Sequence, residues 1–312
     1  MPQRTYRPPA TPLFPDFKAI DLDDRDEIRL RVEQFEPYSD FNFVSLFGWS
    51  RDAGMEWSIL DENIVVRFED YVDGRPFLSF LGVNHPVETL RAVTGLAQES
   101  GLDPTLRLVP EVVVERLSGV QGWLAVEDPA NHDYIYDATA LAECRASKFR
   151  GKRSSINRFL RTTGESSEVG GIDMTDSADA RGVLRVFDEW IASRGVVGED
   201  TQAERAALEN LVAHAAGLDL VALGVRVDGQ LRAFSIGELL TAGFGMVHYE
   251  KANVEYSGLF EYLRQQAAEN LRSLGCRQIN YQQDLGIEGI RRLKLTYHPL
   301  RQLKKYMLVV DD

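Results

Sequence analysis

The dipeptide Asp228-Gly229, set between the apolar runs Leu220 to Val227 and Leu231 to Leu239, constrains this chain more than any other feature. Two such runs joined by Asp-Gly form a two-residue hairpin of type I′. That turn needs positive φ at both central positions, and Asp-Gly tolerates it. The pattern continues downstream: Phe244 to Tyr249 reads as a third strand and Arg277 to Tyr281 as a fourth. Between them Leu259 to Leu274 reads as an amphipathic helix, with Leu259, Phe260, Leu263, Ala267, Leu271 and Leu274 on one face. Upstream, Ala178 to Ser193 and Thr201 to Ala216 have helical spacing, and a closing strand is expected near Leu303 to Val310.

Two helices, a hairpin, a strand, a helix and a strand, in that order, resemble the topology of GNAT-type acyltransferases. This is a likeness of fold and does not fix function. GNAT enzymes that use acetyl-CoA hold its pyrophosphate on a glycine-rich turn between the third of these strands and the next helix. Here the connection reads Lys251-Ala252-Asn253-Val254-Glu255-Tyr256-Ser257-Gly258, with a single glycine and an added glutamate. A CoA pyrophosphate is expected to be poorly held.

The first half has a comparable alternation of elements. Trp57 to Phe68 suggests two strands around Asp61-Glu62-Asn63, Phe77 to Leu81 another, Val87 to Ser100 a helix, Leu106 to Val109 a strand and Glu111 to Leu117 a helix. The aromatics Tyr38, Phe41, Phe43, Phe47 and Trp49 are expected in a core. With 312 residues and 44% hydrophobic content, the chain can build two packed domains. The expected class is α+β, with an extended proline-containing tail at 1–16, one domain at 17–140 and a second at 141–312.

Net charge is -13, so any polyanion must be met by a local basic patch. Residues 145–161 supply one: Arg145, Lys148, Arg150, Lys152, Arg153, Arg158 and Arg161, with no acid among them. Ile156, Phe159 and Leu160 give the same segment an apolar stripe, so it reads as a helix with a basic outer face. Cys144 and Cys276 lie far apart, which argues against a disulfide framework, and with the five histidines they show no metal-ligand spacing, so no metal site is expected. No signal peptide is visible and no apolar run approaches the roughly 18 residues of a spanning helix. A cytoplasmic location without integral membrane contact is expected.

The densest polar stretch is Asn280 to Pro299, which gathers amides, carboxylates, cations and a Tyr-His-Pro where a strand would leave a sheet. It reads either as a binding site or as a polar loop capping a helix that starts near Ile287. Several blocks, taken together, resemble the bacterial DUF2156 family, a relative of the soluble catalytic domain of phosphatidylglycerol lysyltransferases. They are Tyr38-Ser39-Asp40-Phe41-Asn42-Phe43, Lys148-Phe149-Arg150-Gly151-Lys152-Arg153, Phe234-Ser235-Ile236-Gly237-Glu238, His248-Tyr249-Glu250-Lys251-Ala252, and Gln283-Asp284-Leu285-Gly286-Ile287-Glu288-Gly289 with Lys294 and Tyr297-His298-Pro299. The resemblance implies two tandem GNAT-like domains, each a mixed sheet flanked by helices, and transfer of an aminoacyl group from an aminoacyl-tRNA to an acceptor, with no cofactor. Membrane members of the family carry a long transmembrane portion ahead of this domain. No such portion is seen in the present sequence, which argues against a lipid acceptor; the resemblance to soluble relatives of bacterial secondary metabolism implies a small amine, hydroxylamine or alcohol as the expected acceptor.

An aminoacyl ester is already activated, so such an enzyme has mainly to align the acceptor, take its proton and stabilise an oxyanion. Glu250 and Asp284, at the ends of two neighbouring strands, are candidate bases or ammonium ligands, against structural pairing with Lys251, Arg291 or Lys294. His248 is a candidate proton carrier or a packed core histidine, and Lys294 a candidate partner for an oxyanion or phosphate. Asn42, Tyr134, Tyr136, Gln283 and His298 are candidates for substrate binding, with core packing open for the tyrosines and a plain turn for His298. The candidates for tRNA phosphates are Lys148, Arg150, Lys152, Arg153, Arg158, Arg161, Arg291, Arg292, Arg301, Lys304 and Lys305. An acyl-CoA-dependent N-acyltransferase and a non-catalytic tRNA-binding protein are the alternatives.

Overall fold

The computed structural model describes residues 11–50, 54–70, 74–193 and 198–311. The chain divides into two compact units, residues 1–128 with 304–312, and residues 129–303. This differs from the expected boundary near residue 140, and the last strand belongs with the first unit. Of the expected tail, residues 1–10 lie outside the described residues. Its remainder is paired: the Phe14 N–H donates to Ile59 O at 2.9 Å and the Ile59 N–H to Pro12 O at 3.0 Å.

In the first unit β1 (Lys18–Ala19), β2 (Glu56–Leu60), β3 (Asn63–Glu69) and β4 (Pro76–Leu81) form an antiparallel sheet in that order. Asp61 and Glu62 join β2 to β3 with φ of 50° and 66°, so a tight primed turn forms here without glycine. β5 (Leu106–Pro110) and β6 (Trp123–Glu127) flank the C-terminal strand Lys305–Val310, which runs antiparallel to both. Tyr38, Phe41, Phe43, Leu46 and Phe47 are buried, and Phe41 meets Phe68 edge-on at 5.7 Å.

Asn42, a candidate for substrate binding, is the buried N-cap of α1 (Phe43–Trp49), accepting the Ser45 N–H at 3.0 Å. One site expectation fails in this unit. Lys305 cannot reach a phosphate, because it is fully buried, ion-paired with Asp40 and 3.3 Å from Ser39 Oγ. Its neighbour Lys304 is at the surface, 3.4 Å from Glu127.

The second unit holds β7 (Asp133–Asp137), β8 (Ser167–Gly171), β9 (Leu220–Val227), β10 (Gln230–Leu239), β11 (Phe244–Ala252), β12 (Gln278–Asn280) and β13 (Arg301–Leu303). They form one mixed sheet in the order β13-β7-β12-β11-β10-β9-β8, with β11 and β12 parallel and the other pairs antiparallel. The Asp228 and Gly229 φ values of 53° and 73° are those of the expected I′ hairpin. β7 lies between β12 and β13, which is why the unit begins at residue 129.

Around this sheet pack α2 (Ala138–Glu143), α3 (Arg150–Thr163), α4 (Ser177–Ser193), α5 (Glu199–Ala213), α6 (Leu259–Ser273) and α7 (Glu288–Leu295). α6 buries Leu259, Leu263, Ala267, Ala268 and Leu271, whereas Leu274 is 49% exposed because the helix has ended at Ser273, before Gly275 (φ 101°). Among the described residues no helix is long and apolar enough to cross a membrane.

Candidate active site

β11 and β12 pair over three residues only, Phe244–Met246 with Gln278–Asn280. β11 continues to Ala252, while the chain after β12 turns away, with φ of 59° at Gln282 and 55° at Leu285. Two parallel strands that diverge leave backbone groups and a wedge of space between them, and polar side chains fill that wedge. A β-bulge on β11 shapes one wall. Ile236 pairs with Tyr249 and Gly237 with Val247, which leaves His248 as the extra residue. The bulge needs Gly237, where a Cβ would lie 2.4 Å from Met246 O.

The two expected carboxylates border this wedge, and both are already engaged. Glu250 Oε2 accepts from Arg264 Nε and Nη2 at 2.8 and 2.7 Å, and Oε1 accepts from the Tyr281 hydroxyl at 3.1 Å. Arg264, on the inner face of α6, lies over the rings of Phe260, Tyr281 and Tyr297 at 4.8, 4.5 and 4.5 Å. Its pKa is raised further, burial being outweighed by Glu250. Asp284 is fully buried and accepts four hydrogen bonds, from Tyr134 (2.7 Å), Arg291 Nε and Nη2 (3.0 and 3.1 Å) and the Gly286 N–H (2.8 Å). Burial pushes its pKa up, but these donors hold it below the usual range. Glu250 is thus paired with Arg264 and not with Lys251, which instead bonds Glu204 at 2.8 Å; the Asp284–Arg291 pair is one that the sequence allowed.

Lys294 is different. Its Nζ is enclosed, donates to Tyr281 O and to Gln282 O (3.1 Å), and among the described residues touches no carboxylate within hydrogen-bond distance. Burial, with the Arg264 charge next, pushes its pKa down to about 7. His248 has both ring nitrogens engaged, Nε2 with Glu238 at 2.9 Å and Nδ1 with Gln282 Nε2 at 3.2 Å. Tyr136 donates its hydroxyl to Lys294 O at 2.9 Å and supports the same helix from below. Burial raises the Tyr134 pKa to about 12, with Asp284 adding to the effect. Gln283 is half-buried beside these groups. His298 is an exposed turn residue at φ 54°, edge-on to Phe149 at 5.6 Å.

The basic segment splits. Arg150, Arg153, Ser154, Asn157, Leu160 and Arg161 line an open groove of about 560 Å³ along α3. Lys148 is exposed beside Phe149, and Arg158 donates to Ser257 Oγ at 3.2 Å. Arg153 also caps the preceding turn through Cys144 O and Ala146 O, the latter at 2.8 Å. Lys152 is not on the outer face: it points inward, its Nζ 4.0 Å from the centre of the Tyr297 ring. Arg291 is tied to Asp284, Arg292 to Glu288 at 3.0 Å, and Arg301 is 3.3 Å from Gln278 Oε1.

α3 also covers the start of α6. A Cβ on Gly258 would come 2.1 Å from Ser155 O. The amides ahead of the helix are bonded internally, Glu255 N–H to Asn253 Oδ1 at 2.9 Å and Leu259 N–H to Tyr256 O at 3.0 Å. Sequence reasoning passed over Arg264, and it quoted Glu238, Tyr281 and Tyr297 only within longer stretches, with no role assigned. The signal for Arg264 is its place within the apolar stripe of α6, where an arginine needs a buried partner.

Residues 33–309 match the family described as phosphatidylglycerol lysyltransferase, C-terminal. No curated protein matches the chain. Among solved structures, a conserved protein of unknown function from Bacteroides thetaiotaomicron VPI-5482 is similar over 95% of this chain and 99% of its own, with 27% identity and a TM-score of 0.84. L-PGS from Bacillus licheniformis shares the fold over 92% of each chain at 13% identity and a TM-score of 0.63. FemX shares it at 9% identity and a TM-score of 0.55, over 95% of this chain and 97% of its own. With the family match running through both units and across the Lys294 wedge, this chain belongs to the phosphatidylglycerol lysyltransferase C-terminal family.

Proposed function

We propose that this protein transfers an aminoacyl group from an aminoacyl-tRNA to an amine or hydroxyl of a small acceptor, with secondary metabolism as its setting, and that Lys294 takes the acceptor's proton. The observation that carries the chemistry is the Lys294 nitrogen. As a neutral amine it has two N–H groups, matched by Tyr281 O and Gln282 O, and one lone pair left over for a proton. A pKa of about 7 leaves a large share of it neutral at physiological pH, where a general base works best. The acceptor nitrogen or oxygen attacks the ester carbonyl and its proton passes to Lys294. The tetrahedral intermediate then collapses with loss of the ribose oxygen, which leaves with a proton.

Asp284, which accepts four hydrogen bonds, and Glu250, ion-paired with Arg264, orient the wedge in this scheme and do not serve as bases. His248, held between Glu238 and Gln282, positions the loop that supplies one of the Lys294 carbonyls. The groove on α3 holds phosphates of the tRNA acceptor end, with Arg150, Arg161 and Lys148 as its principal cations and Arg153 and Arg158 beside them. The acyl-CoA alternative is disfavoured, since α3 abuts Gly258 and the preceding amides are internally bonded. Family membership supports the aminoacyl donor over a purely binding role.

The test is to incubate the protein with a pool of charged bacterial tRNAs and a small amine, and to follow the loss of each aminoacyl ester. Consumption of at least one ester is expected, with a rate that rises from pH 6 to 8 and is half-maximal near 7, because the base must be neutral. Lys294→Ala should slow it by roughly 10²–10⁴-fold. If every ester survives, transfer is wrong; an unimpaired Lys294→Ala removes the base assignment.

A further inference from the structure

Lys152 lies on the inner face of α3 with the buried Ile156 and Phe159, away from the phosphate groove. Its ammonium sits 4.0 Å from the centre of the Tyr297 ring and 4.0 Å from Glu261 Oε1, with no hydrogen-bond acceptor among the described residues. The side chain is only 15% exposed. Tyr297 itself is buried, and its hydroxyl has no hydrogen-bond partner among the described residues. The same ring is covered by Arg264, whose carboxylate partner, Glu250, has both oxygens occupied. The Tyr297 hydroxyl is a buried donor left empty, and beside it and a buried guanidinium the largely enclosed Lys152 ammonium meets only the Glu261 carboxylate among the described residues, at 4.0 Å. A buried donor left empty costs free energy unless a ligand or water fills it, so this place suits an acceptor, and a charged one suits the ammonium.

Glu261 stands close enough to repel a dianion, which favours a group of single negative charge. Glu250 and Asp284, the carboxylates that line the wedge, are already paired, so a second ammonium would find no counter-ion in them.

We infer that Lys152 and Tyr297 form an inner subsite for a carboxylate carried by one of the two substrates, either the side chain of an aspartyl or glutamyl group on the tRNA or an acid group of the acceptor. The inference rests on the transfer reading only for which substrate brings the carboxylate; the subsite itself is tested by binding alone. It explains why a lysine of the basic segment turns inward, and it predicts that a cationic aminoacyl group is rejected.

Calorimetric titration of the full chain with aspartate, glutamate, lysinamide (which keeps the cation and has no carboxylate) and inorganic phosphate tests it. Aspartate or glutamate should bind and lysinamide should not. Lys152→Gln should weaken binding about tenfold or more, as loss of a charge-assisted hydrogen bond does. Tyr297→Phe, which keeps the ring under both cations, should weaken it several-fold while leaving the melting temperature near that of the wild type. Lysinamide or phosphate binding as well as aspartate, or both variants binding like the wild type, overturns the subsite. Where binding is as expected, charged tRNAs identify the source. Consumption of Asp- or Glu-tRNA points to the donor, and consumption of Ala-tRNA only with an acidic amine points to the acceptor. Binding without consumption of any ester upholds the subsite and overturns the transfer reading; consumption of Lys-tRNA in preference to the acidic ones overturns the subsite alone.

Discussion

A carboxylate held in an ion pair is a weakened base, and Glu250 directs Oε2 at Arg264 and Oε1 at the Tyr281 hydroxyl. Its role is to neutralise an arginine that the fold has placed against three aromatic rings. Glu250→Gln should therefore act first on stability. Leaving Arg264 buried without its counter-charge costs about 3–5 kcal/mol, read as a lower denaturation midpoint, and Glu250→Gln with Arg264→Met should recover part of it. Unchanged midpoints in the single variant would show that the pair is dispensable. What was legible in the sequence is a set of candidate residues, Glu250, Asp284, His248 and Lys294, on β11 and on the stretch that follows β12. Their partners were not. Glu250 and Arg264 are on different elements, and no spacing rule connects a strand end to the middle of a helix.

At the scale of elements, α3 shows how one helix can do two jobs. Arg150, Arg153, Ser154, Asn157 and Arg161 recur at helical spacing along the open groove, while Lys152, Ile156 and Phe159 face inward. Composition shows seven cations in the segment, and only the phase of the helix separates those available to a ligand. The expected outcome is that Arg150→Glu and Arg161→Glu weaken tRNA binding and each lower the slope of log affinity against log salt by about one. Filter binding at several salt concentrations checks this. A slope unchanged in the double variant would move the tRNA to another surface. Elements whose signals are local came through the sequence intact: the Asp228-Gly229 hairpin, α6 from Leu259, and α7 close to the expected start at Ile287. Those whose side chains serve neighbours did not. β8, glycine-containing and poorly apolar, was hidden in an acidic region, and β6, with mostly exposed residues, had no apolar alternation to announce it.

On the scale of the whole molecule, the order of units along the chain is not the order of residues. The last strand belongs to the first unit and carries Lys305 into its core against Asp40. Lys305→Ala should cost about 3–5 kcal/mol of stability, because Asp40 is left buried without its counter-charge. Lys304→Ala, next to it but solvent-facing and paired with exposed Glu127, should leave the melting temperature nearly unchanged. Equal effects of the two changes would mean that the buried pair has no special weight.

The sequence by itself determined the α+β class, the hairpin and helix of the second unit, the family to which the chain belongs, and the set of charged residues around one polar stretch. These depend on periodicity, turn chemistry and residue identity, which are written locally. Tertiary structure alone decided that β7 joins the second sheet, that Lys305 is a core residue, and that Lys152 faces inward. It also decided that Glu250 and Asp284 meet arginines, while the Lys294 nitrogen meets two backbone carbonyls. Each of these depends on which groups from distant positions share a desolvated space, where a partner within about 3 Å changes a charge from reagent to scaffold.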